Sequence, residues 1–184
     1  MIKSSFIMKS IKNLLLGVLT FVAASCSIED YDIDHNAIFP MGGQYRIISL
    51  VDEAGAELAG NIATGSRYVF LANTVDDESD KCWIRIGGYS TASSNFYGIN
   101  GKISCNVTDK ANMTFSGSNV ENLAGNVASS EHTFTVSGVV VEKGATAPSG
   151  TVTESIKMTF SNSRFPGKTY TVTGWKYTGW AEDL

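Results

Sequence analysis

The chain has 184 residues, 43% of them hydrophobic and 17% charged, with 18 glycines and only 3 prolines. That apolar content excludes a disordered chain, which combines low hydrophobicity with high net charge, and 3 cysteines are too few for a disulfide-built mini-scaffold. Lys+Arg at 14 against Asp+Glu at 18 gives a net charge of −4 and a pI near 5.1, so the basic stripe expected of a nucleic-acid binder is missing.

Residues 1–25 read as a secretory signal. Lys3, Lys9 and Lys12 form a positive start, and the apolar run from Leu14 to Ala24 follows. The run is too short for a spanning helix, which needs about 20 residues. It ends at Val22-Ala23-Ala24-Ser25-Cys26, which resembles the bacterial lipobox. That resemblance implies cleavage before Cys26 and acylation of its thiol and new amino group by fatty acids such as palmitate. A plain secretory signal, or an uncleaved anchor, is the alternative. Loss of residues 1–25 removes three lysines and takes the net charge from −4 to −7. Several acyl chains, each contributing about 0.8 kcal/mol per buried methylene, anchor a protein firmly where one chain is marginal.

Residues 26–41 then read as a lipidated acidic tether. Its stretch Ser27-Ile28-Glu29-Asp30-Tyr31-Asp32-Ile33-Asp34 resembles the export signal of surface lipoproteins in the Bacteroidota. The implied location is the outer membrane, displayed at the cell surface; retention on the periplasmic leaflet is the alternative.

Residues 42–184 form one domain in which side-chain character alternates with a period of two. Phe134, Val136, Gly138 and Val140 alternate with Thr133, Thr135 and Ser137. The runs around Met158, Val172 and Ile103 behave in the same way. Such alternation, with threonine on the other face, marks antiparallel sheet with one side wet. About eight strands are predicted, over 43–52, 64–73, 81–88, 96–108, 111–117, 132–143, 153–162 and 168–178. Residues 118–130 fit either a loop or a short extra strand. Eight such strands favour an all-β, antiparallel up-and-down barrel, with a two-sheet β-sandwich as the alternative. An eight-stranded barrel either fills with side chains or holds one small ligand.

A hairpin of the third and fourth strands centred between residues 93 and 94 would oppose Cys82 to Cys105 on the inner face. In an oxidising compartment such a pair can bridge; two small buried hydrophobes are the alternative. The chemistry of hydrolysis finds little to work with. Nucleophilic catalysis needs a nucleophile, a base and an orienting group. His35 lies in the tether and His132 opens a strand. Gly88-Tyr89-Ser90-Thr91-Ala92 only echoes a nucleophile elbow, since no helix follows it. Two distant histidines make zinc improbable. The acidic loop from Asp76 to Asp80 lacks the spacing of a calcium loop. No cofactor is expected.

Three stretches together are similar to one family. They are Gly42-Gly43-Gln44-Tyr45, Asn73-Thr74 through Trp83, and above all the C-terminal block from Ala145 to Gly150, Ser155 to Phe160 and Tyr170 to Asp183. The chain resembles the Bacteroidota lipoproteins described as "lipid-binding putative hydrolase". The resemblance implies a calycin-like, lipocalin-like barrel with an apolar ligand, and it brings no hydrolase motif that maps onto residues here. Tyr45, Tyr68, Phe70, Tyr97, Phe134, Met158 and Tyr170 are the candidate ligand-lining side chains, combining apolar bodies with polar handles. Plain core is the other reading of the same residues. The expected function is non-catalytic binding of a hydrophobic or amphipathic small molecule. Competing readings are a glycan-binding or adhesion module using Trp83, Trp175 and Trp180, and a hydrolase.

Overall fold

The computed structural model describes residues 35–57, 68–86, 98–124, 129–163 and 166–183. Eight strands follow one another in sequence: β1 (Gly43–Val51), β2 (Tyr68–Ala72), β3 (Lys81–Ile86), β4 (Asn100–Asn106), β5 (Met113–Asn122), β6 (Ser129–Thr146), β7 (Val152–Asn162) and β8 (Thr169–Lys176). Every strand pairs antiparallel with its sequence neighbours, and β8 pairs with β1, as in Leu50 opposite Val172. The sheet is a closed up-and-down barrel, not a sandwich. Closure leaves no strand edge unpaired.

The stretch 118–130 resolves largely as strand. β5 runs on to Asn122 through a bulge between Gly117 and Val120, with Asn119 in the left-handed region at φ 52°, and β6 begins at Ser129. Asparagine tolerates that backbone conformation better than most residues. A second bulge falls between Val141 and Ala145, near the end of the 18-residue β6.

The inward face is the expected one along most strands. Ile103 and Cys105, Met113 and Phe115, Phe134, Val136 and Val140, Ile156, Met158 and Phe160, and Tyr170 and Val172 are all buried. The β3–β4 register differs from expectation: Cys82 opposes Ile103 and Ile84 opposes Gly101, so Cys105 lies two residues off the predicted pairing. A slip of two keeps every side chain on its own face, so alternation alone cannot choose between the two registers. Packing at Gly101 accompanies the observed one. A Cβ there would come within 2.8 Å of Phe134 and of Val120, so only glycine fits opposite Ile84.

One end of the barrel is crossed by residues 35–42. Ile38 and Met41 are fully buried, and backbone bonds from Met41 N and Gly42 N to Ile38 O tighten the turn. This last part of the expected tether packs with the barrel and does not stand off it. Tyr45 locks the arrangement by donating its hydroxyl to Met41 O at 2.7 Å. The same end holds the β2–β3, β4–β5 and β6–β7 turns and the C-terminal segment. All buried hydrophobic residues fall between Ile38 and Trp175 among the described residues, so a chain starting at Ser27 keeps every one of them.

The C-terminal segment is pinned by Asp183. Its carboxylate accepts from Ser149 N at 2.7 Å, from Ser149 Oγ at 2.9 Å and from the Thr178 hydroxyl, while its carbonyl oxygen accepts from Arg46 Nη1. Burial pushes this carboxyl's pKa up, but the hydrogen bonds from Thr178 and Ser149 and the Arg46 charge outweigh it and hold the pKa below its ordinary value. On the outer wall the Arg46 guanidinium sits 5.9 Å above the Trp175 ring, which is buried.

Candidate functional site

The candidate ligand-lining residues divide. Tyr45, Phe134, Met158 and Tyr170 point into the barrel and are at most 1% exposed. Tyr68 and Phe70 do not: in β2 it is Val69 and Leu71 that turn inward. Phe70 lies on the outer wall under the Arg85 guanidinium, 4.4 Å from its ring centre, and Tyr68 meets Tyr177 edge-on at 6.4 Å. These contacts offset the exposure of two aromatic rings outside the sheet. Tyr97 and Cys26 lie outside the described residues, as does Gly88 to Ala92.

Among the described residues the inward side chains fill the barrel axis. The Phe115 ring lies directly over Gly138, where a Cβ would overlap it and would come 2.7 Å from the Cβ of Met158. Phe160 and Tyr170 stack with centroids 5.2 Å apart. An internal void large enough for a ligand would leave its lining accessible to water. Apart from Cys105, at 8%, none of the core-cluster side chains exceeds 3% exposure. These residues are packed against one another, as in other protein interiors.

Cys82 and Cys105 are both free and buried. They occupy diagonal positions on β3 and β4, with the Cys105 thiol directed at Ser79 O, 4.0 Å away. Burial pushes the Cys82 thiol well above its ordinary pKa and raises that of Cys105, so neither is a poised nucleophile. The acidic loop of residues 76–80 is engaged locally. Asp77 accepts from Ala37 N at 2.9 Å, Glu78 pairs with Lys102 at 3.2 Å and Asp80 with Lys81 at 3.1 Å. Among the described residues no three His, Cys, Asp or Glu side chains converge as a metal would need.

Space is found below the packed axis, at the end crossed by residues 35–42. A notch of about 270 Å³ is lined by His35, Phe39, Pro40, Lys110, Met113, Glu142 and Glu154. Its floor is apolar: Met113 closes it from β5, and the Phe39 ring, stacked on His35 with centroids 3.7 Å apart, forms one side. Its rim is charged. Glu142 continues the inward parity of Val140, and Glu154 that of Ile156. The Glu154 carboxylate reaches Lys176 Nζ at 3.8 Å; burial, and after it the charge of Glu154, push the Tyr45 phenol far above its ordinary pKa. Lys110 contributes a cation from the β4–β5 turn. No residue of this notch except His35 stood out in the sequence. The available signal was the break in parity, a glutamate on an inward position at the end of two neighbouring strands.

The tryptophans do not gather. Trp83 and Trp175 lie on β3 and β8, which β1 and β2 separate, and Trp180 is 60% exposed in the C-terminal segment. That spacing argues against one stacking platform for a sugar.

Residues 30–181 match the profile of a protein family described as "Lipid-binding putative hydrolase". The match takes in all eight strands, and the chain belongs to this family. No curated protein matches it.

Proposed function

We propose that this member of the lipid-binding family is an envelope lipoprotein, anchored through acylated Cys26, whose barrel binds an amphipathic lipid without catalysing its breakdown. The family match across the whole barrel carries the lipid-binding part of the reading. The anchor rests on the lipobox-like Val22-Ala23-Ala24-Ser25-Cys26, and surface display in the outer membrane on the acidic stretch after it.

The non-catalytic reading is supported by the two imidazoles. His35 stacks on Phe39, and His132 stands at the start of β6. Neither hydrogen-bonds to a serine, threonine or cysteine side chain among the described residues, which is the arrangement a base and nucleophile need. With the barrel axis filled, the lipid is bound at an end of the barrel and not along its interior.

Two measurements test this. Labelled palmitate fed to expressing cells is incorporated into the full chain and not into its Cys26→Ala variant; equal labelling contradicts the anchor. Residues 27–184 incubated with envelope lipid extract retain a lipid in native mass spectra. A spectrum of bare protein contradicts lipid binding, and turnover of a nitrophenyl ester abolished by a single substitution would restore the hydrolase reading.

A further inference from the structure

We infer that the notch between residues 35–40 and the ends of β5, β6 and β7 is the headgroup site for this lipid, and that it selects a zwitterionic amphiphile carrying both an ammonium and a phosphate. The inference rests on the lipid-binding reading and adds the place and the headgroup.

Three observations carry it. First, the notch joins an apolar floor to a charged rim, the combination an amphiphile needs: Met113, Phe39 and Pro40 below, Glu142, Glu154 and Lys110 around. Its volume of about 270 Å³ lies near the bottom of the small-molecule range, room for a headgroup and the start of a chain.

Second, two of the rim charges, Glu142 and Lys110, are not used internally. The last regular β6–β7 pair before the bulge is Val141 with Ser155, so the next positions on the two strands are Glu142 and Glu154. Two carboxylates on one rim repel each other unless a cation intervenes. Lys176 partly meets that need for Glu154. Glu142 and Lys110 make no ion pair among the described residues, with each other or with anything else. An unpaired anion and an unpaired cation on one rim match a ligand that carries both signs. The ammonium would sit against Glu142 and Glu154, and the phosphate against Lys110.

Third, apolar surface continues outward from the notch. Val152 lies two residues from Glu154 on the same strand face and is 57% exposed, and Phe39 is 48% exposed. Together they give the acyl chain a path away from the headgroup.

Binding of dodecylphosphoethanolamine to residues 27–184, by calorimetry below its micellar concentration, tests the assignment. The comparison ligands are dodecylamine, dodecyl phosphate and chainless phosphoethanolamine. The zwitterionic amphiphile is expected to bind tightest. Glu142→Gln and Lys110→Gln are each expected to weaken it about two- to fivefold, the worth of one partly exposed ion pair. Both side chains are exposed, so neither change disturbs the core, and Lys157→Gln on the outer wall of β7 is expected to change nothing. Lys110→Gln should also erase the preference over dodecylamine. If the amphiphile binds but neither rim variant weakens it, the notch is not the site, while the lipid-binding reading stands. Equal affinity for chainless phosphoethanolamine contradicts an amphiphile site. If no amphiphile binds, the lipid-binding reading falls as well.

Discussion

The barrel axis and the notch beneath it are both lined by apolar side chains, yet they are built for opposite ends. Along the axis, Phe115 presses on Gly138 and Phe160 stacks on Tyr170, leaving almost no accessible area. In the notch, a methionine and an aromatic pair meet two carboxylates and a lysine with space between them. Aromatic content therefore does not identify the ligand site in this barrel. On the proposed reading, open volume bordered by the unpaired charges of Glu142 and Lys110 does. A shared closed-barrel architecture does not carry a shared internal cavity with it.

The comparison breaks most readily along the axis. Phe160→Ala removes a fully packed ring and is expected to cost about 3–5 kcal/mol in denaturant unfolding. The same variant should leave amphiphile affinity at the notch unchanged if it still folds. A loss well under about 1 kcal/mol would indicate that the interior around Phe160 is loosely packed. Gly138→Ala tests the same packing from the other side. Its new methyl group would meet Phe115 and Met158, an overpacking change expected to cost about 1–3 kcal/mol in the same assay. A neutral or stabilising result would mean that the Phe115 ring has room to move.

The C-terminal clasp gives a pH signature away from both regions. The Asp183 carboxyl is held below its ordinary pKa of 3.8, so the folded state favours its charged form. The stability it supplies is fully present above the unfolded value and is lost as pH falls through the lower, folded one. Melting temperatures of the wild type and of Asp183→Asn should therefore differ at neutral pH and draw together as pH drops below 3.8. A gap independent of pH would show that the charge is not what the clasp uses. The smallest effect is predicted at Lys102. Its ion pair with Glu78 at 3.2 Å is largely exposed, and Lys102→Ala should change stability by less than about 1 kcal/mol.

Much of this architecture was legible because strand burial and side-chain alternation share one period. The inward sets around Phe134, Met158, Val172 and Ile103 followed directly from it. Where alternation is silent, the expectation failed. Tyr68-Val69-Phe70-Leu71 is apolar at every position, so period two cannot say which pair faces in; Arg85 over Phe70 and Tyr177 beside Tyr68 decide it. The β3–β4 register could slip by two without cost to the pattern, and the turn joining those strands carries no hairpin signature that would fix it. The notch was illegible for a different reason. Its lining comes from the segment before β1, the β4–β5 turn and the ends of three strands, which only barrel closure brings together. The C-terminal block that carried the family resemblance proves to be one physical unit, since Ser149 of the β6–β7 turn holds Asp183.

The most direct test places a nitroxide beside the headgroup of dodecylphosphoethanolamine and adds it to isotope-labelled residues 27–184. Amide signals of Phe39, Lys110 and Glu154, around the notch, are predicted to broaden first, with Val136, Met158 and Phe160 unaffected. Broadening that begins at Met158 and Phe160 would put the lipid inside the barrel and contradict the account.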